Sequence, residues 1–378
     1  MSAGLTEILD EARAVVLAEL QAIIPDGTAD QRLLKQLILD YPLRQAKGLR
    51  PALCLQVCRA LGGREDMVRR TAAVLELYHN AFLLHDDVED GSLLRRGEPA
   101  LHREHGVPTA INTGDAMLAL ALGPLLENTA RMGLGRALRV LEVVAHMVRE
   151  SVEGQALELS WIQRQVWDLS EDDYTRMVVQ KTAWYSFMAP MQVGAIAAGA
   201  RPEQLDALLG LARDLGIAFQ VQDDLLNLEE GRDAYGKELA GDLWEGKRTI
   251  ILLHTLRHLD ADERARAHAL LARPRPEPAT EALVAELDRL RAAGELSAAG
   301  HGALLARLAD GAPTQAAEVA WLQGRIEACG SLAHARAFAA RHARAAGDAL
   351  TACHPWLPPS PARDFLHALV DYVLERTR

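Results

Sequence analysis

Apolar positions recur three and four residues apart along nearly the whole chain, and nowhere alternate with period two over enough residues to make a sheet. The spacing predicts an amphipathic helix over residues 5–24, ended by Pro25-Asp26-Gly27, and a second over 30–40, stopped before Pro42. Lys47-Gly48-Leu49-Arg50-Pro51 reads as a loop entering a helix, because proline is tolerated in a first turn and glycine is disfavoured inside one. Helical periodicity carries 52–61 up to Gly62-Gly63, then 66–89 as one long buried helix. Residues 91–107 read as loop, and helices follow near 109–130, 135–159, 171–198 and 203–229. Gly231 to Lys247 carries four glycines and reads as a flap-like loop.

Beyond Arg273 the character shifts. Pro274, Pro276 and Pro278 form one breaker cluster, Gly311 and Pro313 another. Between them Leu283, Leu287 and Leu290 make one narrow stripe, and Leu304, Leu305 and Leu308 a second, with Gly294 separating them. That pattern predicts a helical hairpin inserted at about 274–313, a solvated decoration with no part in the chemistry. Helices near 315–328, 331–352 and 361–376 finish the chain, Ser360-Pro361 supplying a cap and a favoured first residue for the last. The expectation is all-α: a single domain over 1–378, one large helical bundle around a central cavity.

Composition agrees, since the chain is rich in Ala, Leu, Arg and Glu and poor in β-branched runs. Almost half the residues are hydrophobic, enough for a sizeable core, and the net charge of −11 argues against nucleic acid as the main partner. Cys54, Cys58, Cys329 and Cys353 lack zinc-ligand spacing and read as reduced thiols. The first twenty residues mix acidic and basic groups among apolar ones, and the apolar run Ala116 to Leu126 is too short to span a bilayer. The expectation is a cytoplasmic protein with no transmembrane segment.

Chemistry concentrates in two places. Asp86, Asp87 and Asp90 stand at i, i+1 and i+4, so at about 100° per residue all three fall on one helical arc. Two such charges about 4 Å apart repel by roughly 1–4 kcal/mol in a wet site, and hard divalent cations are the usual remedy. A lone cluster of this kind could equally be a solvated helix end. Asp223, Asp224 and Asn227 repeat the geometry, again at the end of an apolar stretch. Two oxygen-rich patches facing each other across a helical cavity suit several magnesium ions with diphosphate as the third party.

With both clusters in view, the chain resembles the trans-isoprenyl diphosphate synthases, the polyprenyl synthetase family, whose two aspartate motifs read DDxxD. The second motif here ends in Asn227, which keeps an oxygen acceptor and loses a charge. The match runs through Lys47-Gly48-Leu49-Arg50-Pro51, His79-Asn80, Arg95-Arg96-Gly97, Lys181-Thr182, Tyr235-Gly236-Lys237 and the segment Gly241 to Thr249, covering roughly residues 40 to 256. The family's usual second glycine before the lysine is Ala46 here. The resemblance implies an isoprenoid synthase-like fold, a homodimer, and addition of isopentenyl diphosphate to an allylic diphosphate (dimethylallyl, geranyl or farnesyl). It implies three Mg2+ ions, two on Asp86, Asp87 and Asp90 and one on Asp223 and Asp224. Lys47, Arg50, His79 and Arg96 would hold isopentenyl diphosphate. Arg95, Lys181, Thr182, Gln220, Lys237 and Lys247 would hold the allylic diphosphate. Phe82 and Ala81, four and five residues before Asp86, would set chain length. Phe82 is bulky and Ala81 leaves one side open, which points to twenty carbons (geranylgeranyl diphosphate), with fifteen (farnesyl) the alternative.

Two rivals are weighed. A class I terpene cyclase would need Ser or Thr in place of Asn227 and Glu in place of Gly231, and would have no use for Lys47, Arg50 and His79. A non-catalytic synthase subunit would be expected to lose aspartates, whereas both pairs stand.

Overall fold

Ala, Leu, Arg and Glu lose little rotamer freedom on entering a helix, and helices make up almost all the regular backbone of the described residues. The computed structural model describes residues 3–28, 32–44, 46–229, 240–273, 278–308 and 312–375. The first helices are α1 (Ala3–Ile23), α2 (Arg32–Leu43), α3 (Leu49–Ala60) and, after a 3₁₀ turn, α4 (Arg69–Asp90). A minimal hairpin of β1 (Leu94–Arg95) and β2 (Glu98–Pro99) leads to α5 (Leu101–His105), α6 (Val107–Leu120), α7 (Leu122–Met132) and α8 (Leu134–Gln163). Next, α9 (Glu171–Val178) runs through a π-helical segment, Val179–Met188, into α10 (Ala189–Ala198), and α11 (Pro202–Glu229) follows. The remainder comprises α12 (Gly241–Trp244), α13 (Ile250–His258), α14 (Ala261–Leu271), α15 (Pro278–Ala292) and α16 (Ala298–Leu308). Finally come α17 (Ala312–Ala328), α18 (Ser331–Ala352) and α19 (Pro361–Glu375).

Several elements depart from the spacing. The second helix runs through Pro42 to Leu43; the missing N–H falls in the last turn, where few further bonds depend on it. Residues 91–107 hold the β1–β2 hairpin, whose carbonyls at Arg95 and Pro99 accept from Arg44 Nη1 at 3.0 and 2.9 Å. Two helices that the apolar spacing does not announce, α13 and α14, begin at side-chain caps, Thr249 and Asp260. Val107–Met132 is long and apolar enough to cross a membrane by composition. In the fold it is two helices meeting at Ala121, with α6 packed on α4 and α7 on α8. The pair α15–α16 turns at Gly294 and rests α15 on α17; Leu287 is buried, while Leu283 and Leu304 are exposed.

Three buried apolar clusters frame the interior. The largest joins α1, α3, α4, α8, α10, α11, α18 and α19. A second lies among α9, α11, α13, α14, α17 and α18, and a third among α1, α2, α4 and α6. Between them α4, α8, the π segment and α11 leave a cavity of ≈ 310 Å3.

The π segment is held from two sides by glycines. A Cβ on Gly154 of α8 would lie 2.3 Å from the Lys181 backbone nitrogen, and one on Gly216 of α11 would lie 2.4 Å from Ala183 Cβ. Both neighbours are backbone or stubs that cannot swing aside. π turns inside helices are frequent at functional sites, and this one carries Lys181, Thr182 and Tyr185 to the cavity. Alanine in a helix interior normally gains about 0.5–1 kcal/mol over glycine. Here overpacking, worth about 1–3 kcal/mol, wins. Gly154→Ala and Gly216→Ala should each lower the melting temperature by several degrees, whereas Gly210→Ala, with open space around it, should not. Unchanged melting of the first two would show that the segment is not clamped.

Candidate active site

The C-terminal turns of α4 deliver the first aspartate cluster to the cavity. Asp87 is the most buried of the three, 1 % exposed. Tyr41 Oη donates to its Oδ2 at 2.6 Å, and Arg95 Nε donates to its Oδ1 and Oδ2 at 2.9 and 3.1 Å. The carboxylate of Asp87 thus faces Arg95 and Tyr41, while Asp86 lines the cavity. Lys181 Nζ lies 3.2 Å from Asp86 Oδ1 and 2.5 Å from Glu158 Oε2. Lys247 Nζ lies 2.7 Å from both Asp90 Oδ2 and Glu245 Oε2. Neighbouring carboxylates hold both lysines well above the usual range against the opposing effect of burial.

The second cluster stands on the opposite wall, on α11. Asp223 and Asp224 line the cavity. Asp224 is 4 % exposed; its Oδ2 accepts from Tyr174 Oη at 2.7 Å and its Oδ1 from Gln220 Nε2 at 2.8 Å. Gln220 in turn accepts from Thr182 Oγ1 at 2.8 Å. Asn227 is turned to another task. Its Oδ1 accepts the Asp242 N–H at 3.1 Å, and its carbonyl the Ala240 N–H at 2.8 Å. Position 227 therefore holds the start of α12, where Asp242 reaches the cavity wall.

Next to the carboxylates lies a second buried cluster, of Arg50, His79 and Arg96. Arg50 donates to Ser186 Oγ at 2.8 Å, and its guanidinium covers the Tyr185 ring at 4.7 Å. His79 stacks on the same ring at 5.7 Å, and Arg96 Nη2 reaches His79 Nε2 at 3.4 Å. Burial, then the guanidiniums of Arg50, Arg96 and Arg95, hold the His79 imidazole well below its usual range. Burial also pushes Arg96 down to about 10, with Arg95, Arg50 and Arg44 adding to the effect and Glu76 opposing it. Arg50 Nε and His79 Nδ1 are buried without a hydrogen-bond partner among the described residues. Two guanidiniums converging on a buried neutral imidazole, with donors left unpaired among the described residues, form a ready receptor for a polyanion.

Of the positions marked from sequence, Phe82, Asp86, Arg95, Lys181, Thr182, Gln220, Asp223, Asp224 and Lys247 come together on the cavity wall. Arg50, His79 and Arg96 gather behind Tyr185, and Lys47 is exposed, with its Nζ 5.8 Å from the Tyr372 ring, and does not line the cavity. Lys237 and Tyr235 lie outside the described residues. Ala81 is fully buried in the apolar cluster with Leu77, Leu84 and Met117, and does not line the cavity. Glu158, Asp242, Tyr41, Tyr174 and Tyr185 escape the sequence reading. Only Asp242 carried a signal, in Gly241-Asp242.

The donor set fits magnesium. It is all carboxylate oxygen, hard and negatively charged, and it converges on one cavity with room for water and phosphate.

Residues 31–287 match the polyprenyl synthetase family, and the chain belongs to that family. It is a transferase of the isoprenyl diphosphate synthase class. A short chain isoprenyl diphosphate synthase from Methanothermobacter thermautotrophicus is 32% identical, over 87% of this chain and 86% of that one. An octaprenyl diphosphate synthase from Escherichia coli is 34% identical, over 67% of this chain and 75% of that one. Among solved structures, a polyprenyl synthase from Caulobacter crescentus, complexed with calcium and isoprenyl diphosphate, superposes with a TM-score of 0.79. It is 26% identical, over 99% of this chain and 98% of that one.

Burial pushes the carboxyls of Asp90 and Asp224 up to about 7, against the opposing pull of Lys247 on the first and of Tyr174 and Gln220 on the second. Each therefore binds a proton more readily in the folded chain than in the unfolded one. The stability this contributes is complete below about pH 4, the ordinary carboxylate range, and is lost as the pH rises through about 7. Metal-free protein should melt progressively lower from pH 5 to pH 8, Mg2+ should restore most at pH 8, and Asp224→Asn should flatten the slope. A wild-type melting temperature independent of pH across that window would contradict this reading.

Proposed function

We propose that the chain condenses isopentenyl diphosphate with an allylic diphosphate, head to tail, to give a short trans-prenyl diphosphate. One observation carries the reading: two anion-handling surfaces of opposite chemistry meet at Tyr185. A carboxylate-walled cavity suits a diphosphate that arrives with divalent metal. The pocket of Arg50, His79 and Arg96 suits a diphosphate bound directly by cations. A terpene cyclase has no use for the second surface, and a non-catalytic subunit none for the first.

The residues then divide the work. Asp86 and Asp90 on α4, with Asp223 and Asp224 on α11, are the proposed ligands of three Mg2+ ions, and Asp87 acts through Arg95; Asp90 lies behind the wall beside Lys247. When bound, the metal neutralises charge that develops on the departing diphosphate. Lys181 and Lys247, held between carboxylates, together with Arg95, Thr182, Gln220 and Lys237, take the oxygens of the allylic diphosphate. Lys47, Arg50, His79 and Arg96 fix the second substrate. The allylic C–O bond ionises, the homoallylic double bond attacks the cation, and a proton leaves; no protein nucleophile is required. The apolar wall of Phe82, Leu118, Val148 and Val152 shields the hydrocarbon chain from water.

The exposed apolar residues Val107, Ile111, Leu122, Leu126, Leu134 and Leu138 on α6, α7 and α8 support the homodimer that the family resemblance implies. Light scattering should then give twice the 41.2 kDa chain mass. Buried free thiols at Cys54, Cys58 and Cys353 suit the reducing cytoplasm.

A Mg2+-dependent assay with labelled isopentenyl diphosphate and each allylic primer tests the activity. Asp86→Ala and Asp223→Ala should each lower turnover by about 10²–10³-fold or more with unchanged helical circular dichroism. Near-normal turnover of Asp86→Ala would refute the central assignment. Product length follows from Phe82, whose ring lines the cavity braced by Tyr185 at 5.6 Å and Tyr78 at 6.1 Å. Because Ala81 faces the core, the room for a twenty-carbon product comes from the walls at Leu118 and Val148 instead, and geranylgeranyl diphosphate is the product proposed. Phe82→Ala should shift the products to longer chains, at a cost of up to about 3 kcal/mol. An unchanged profile on chromatography of the dephosphorylated products would mean the floor lies elsewhere.

A further inference from the structure

In each aspartate pair the second member is sunk below the first, and in each it is met by a phenol from a different helix. Tyr41 on α2 donates to Asp87 Oδ2 at 2.6 Å; Tyr174 on α9 donates to Asp224 Oδ2 at 2.7 Å. The two tyrosines are 0 % and 1 % exposed, so neither hydroxyl can exchange its partner for solvent. Tyr41 Oη also accepts the Leu101 N–H at 3.1 Å, which leaves its single hydrogen for the carboxylate.

From each carboxylate the bonding continues to the cavity wall. Asp87 Oδ1 accepts from Arg95 Nε at 2.9 Å, and Arg95 Nη2 lies 3.5 Å from Asp86 Oδ2. Asp224 Oδ1 accepts from Gln220 at 2.8 Å, and Gln220 accepts from Thr182 at 2.8 Å. Phenylalanine would fill the same apolar volume at either tyrosine without heading such a relay. Hydrogen bonds to a charged acceptor are stronger than neutral ones and restrict its rotation.

We infer that Tyr41 and Tyr174 are matched positioning residues, each locking one buried aspartate so that its pair presents a fixed set of oxygens to divalent metal. The inference rests on the proposed role of Asp86, Asp90, Asp223 and Asp224 as metal ligands, Asp87 holding Asp86's surroundings through Arg95. Neither phenol touches the cavity's reacting atoms through its hydroxyl; each acts through its carboxylate.

The test is Mn2+ binding followed by electron paramagnetic resonance on the full metal-free chain with inorganic pyrophosphate. Tyr41→Phe and Tyr174→Phe should each weaken part of the Mn2+ binding about tenfold, the loss expected for one hydrogen bond to a charged group. Tyr78→Phe removes another buried phenol, on α4 beside Phe82, and should bind as wild type. In an Asp224→Ala background, which removes the acceptor altogether, Tyr174→Phe should have no further effect. Wild-type Mn2+ affinity in both Phe variants, even with lowered melting temperatures, would overturn the inference and reduce the two tyrosines to core hydrogen bonds. If a Phe variant does not fold, 3-fluorotyrosine placed at 41 or 174 gives a second readout. Its fluorine resonance should move on adding Mg2+ and pyrophosphate, and a resonance that stays put overturns the inference for that pair. A wild-type chain that binds no Mn2+ would instead overturn the metal reading of the site, and this inference with it.

Discussion

Six carboxylates, Asp86, Glu89, Glu158, Asp223, Asp224 and Asp242, line one cavity among the described residues, and their mutual repulsion is the constraint the rest of the structure answers. Each close pair costs roughly 1–4 kcal/mol at the effective dielectric of a wet site. On the α4 wall the answer is charge: Arg95 on Asp87, Lys181 between Asp86 and Glu158, Lys247 between Asp90 and Glu245. For Asp224 it is neutral donors, Tyr174 and Gln220. Burial, with the neighbouring carboxylates of Asp86 and Asp223 adding to it, pushes the carboxyls of Asp90 and Asp224 up to about 7, so the site favours cations before any substrate arrives.

The second half of the electrostatic design is its mirror image. Behind Tyr185, burial and the neighbouring guanidiniums hold His79 and Arg96 below their usual ranges, and Arg50 Nε and His79 Nδ1 have no hydrogen-bond partner among the described residues. A chain of net charge −11 therefore carries two local fields of opposite sign, separated by one aromatic ring. In the function proposed, that separation is what allows two diphosphates to be handled differently on either side of Tyr185. The π segment makes it possible: its wide turn brings Lys181 and Thr182 to one field while Tyr185 and Ser186 meet the other, in a backbone kept thin at its neighbours by Gly154 and Gly216.

Much of this was legible in the residues. The i, i+1, i+4 aspartates announce themselves because helical periodicity converts their spacing directly into a shared face, and most helices lie where the apolar stripes put them. What stayed hidden depends on tertiary bonding. Tyr41 and Tyr174 read as core aromatics, since nothing local distinguishes a phenol aimed at a carboxylate from one merely buried. Glu158 sits in an ordinary amphipathic helix, and only the close approach of Lys181 gives it a role. The π turn leaves the side-chain pattern of 171–198 helical while changing which residues face the cavity. Ala81 misled because one residue along α4 is about 100° of rotation, enough to turn it from the cavity into the core.

The most direct measurement of the central claim is a crystal structure with Mn2+ and inorganic pyrophosphate, the ions located by anomalous scattering. The account predicts peaks between Asp86 and Asp90 on one wall and Asp223 on the other, with pyrophosphate bridging them and reaching Lys181 and Lys247. Pyrophosphate bound without metal, or peaks away from both aspartate pairs, would contradict it.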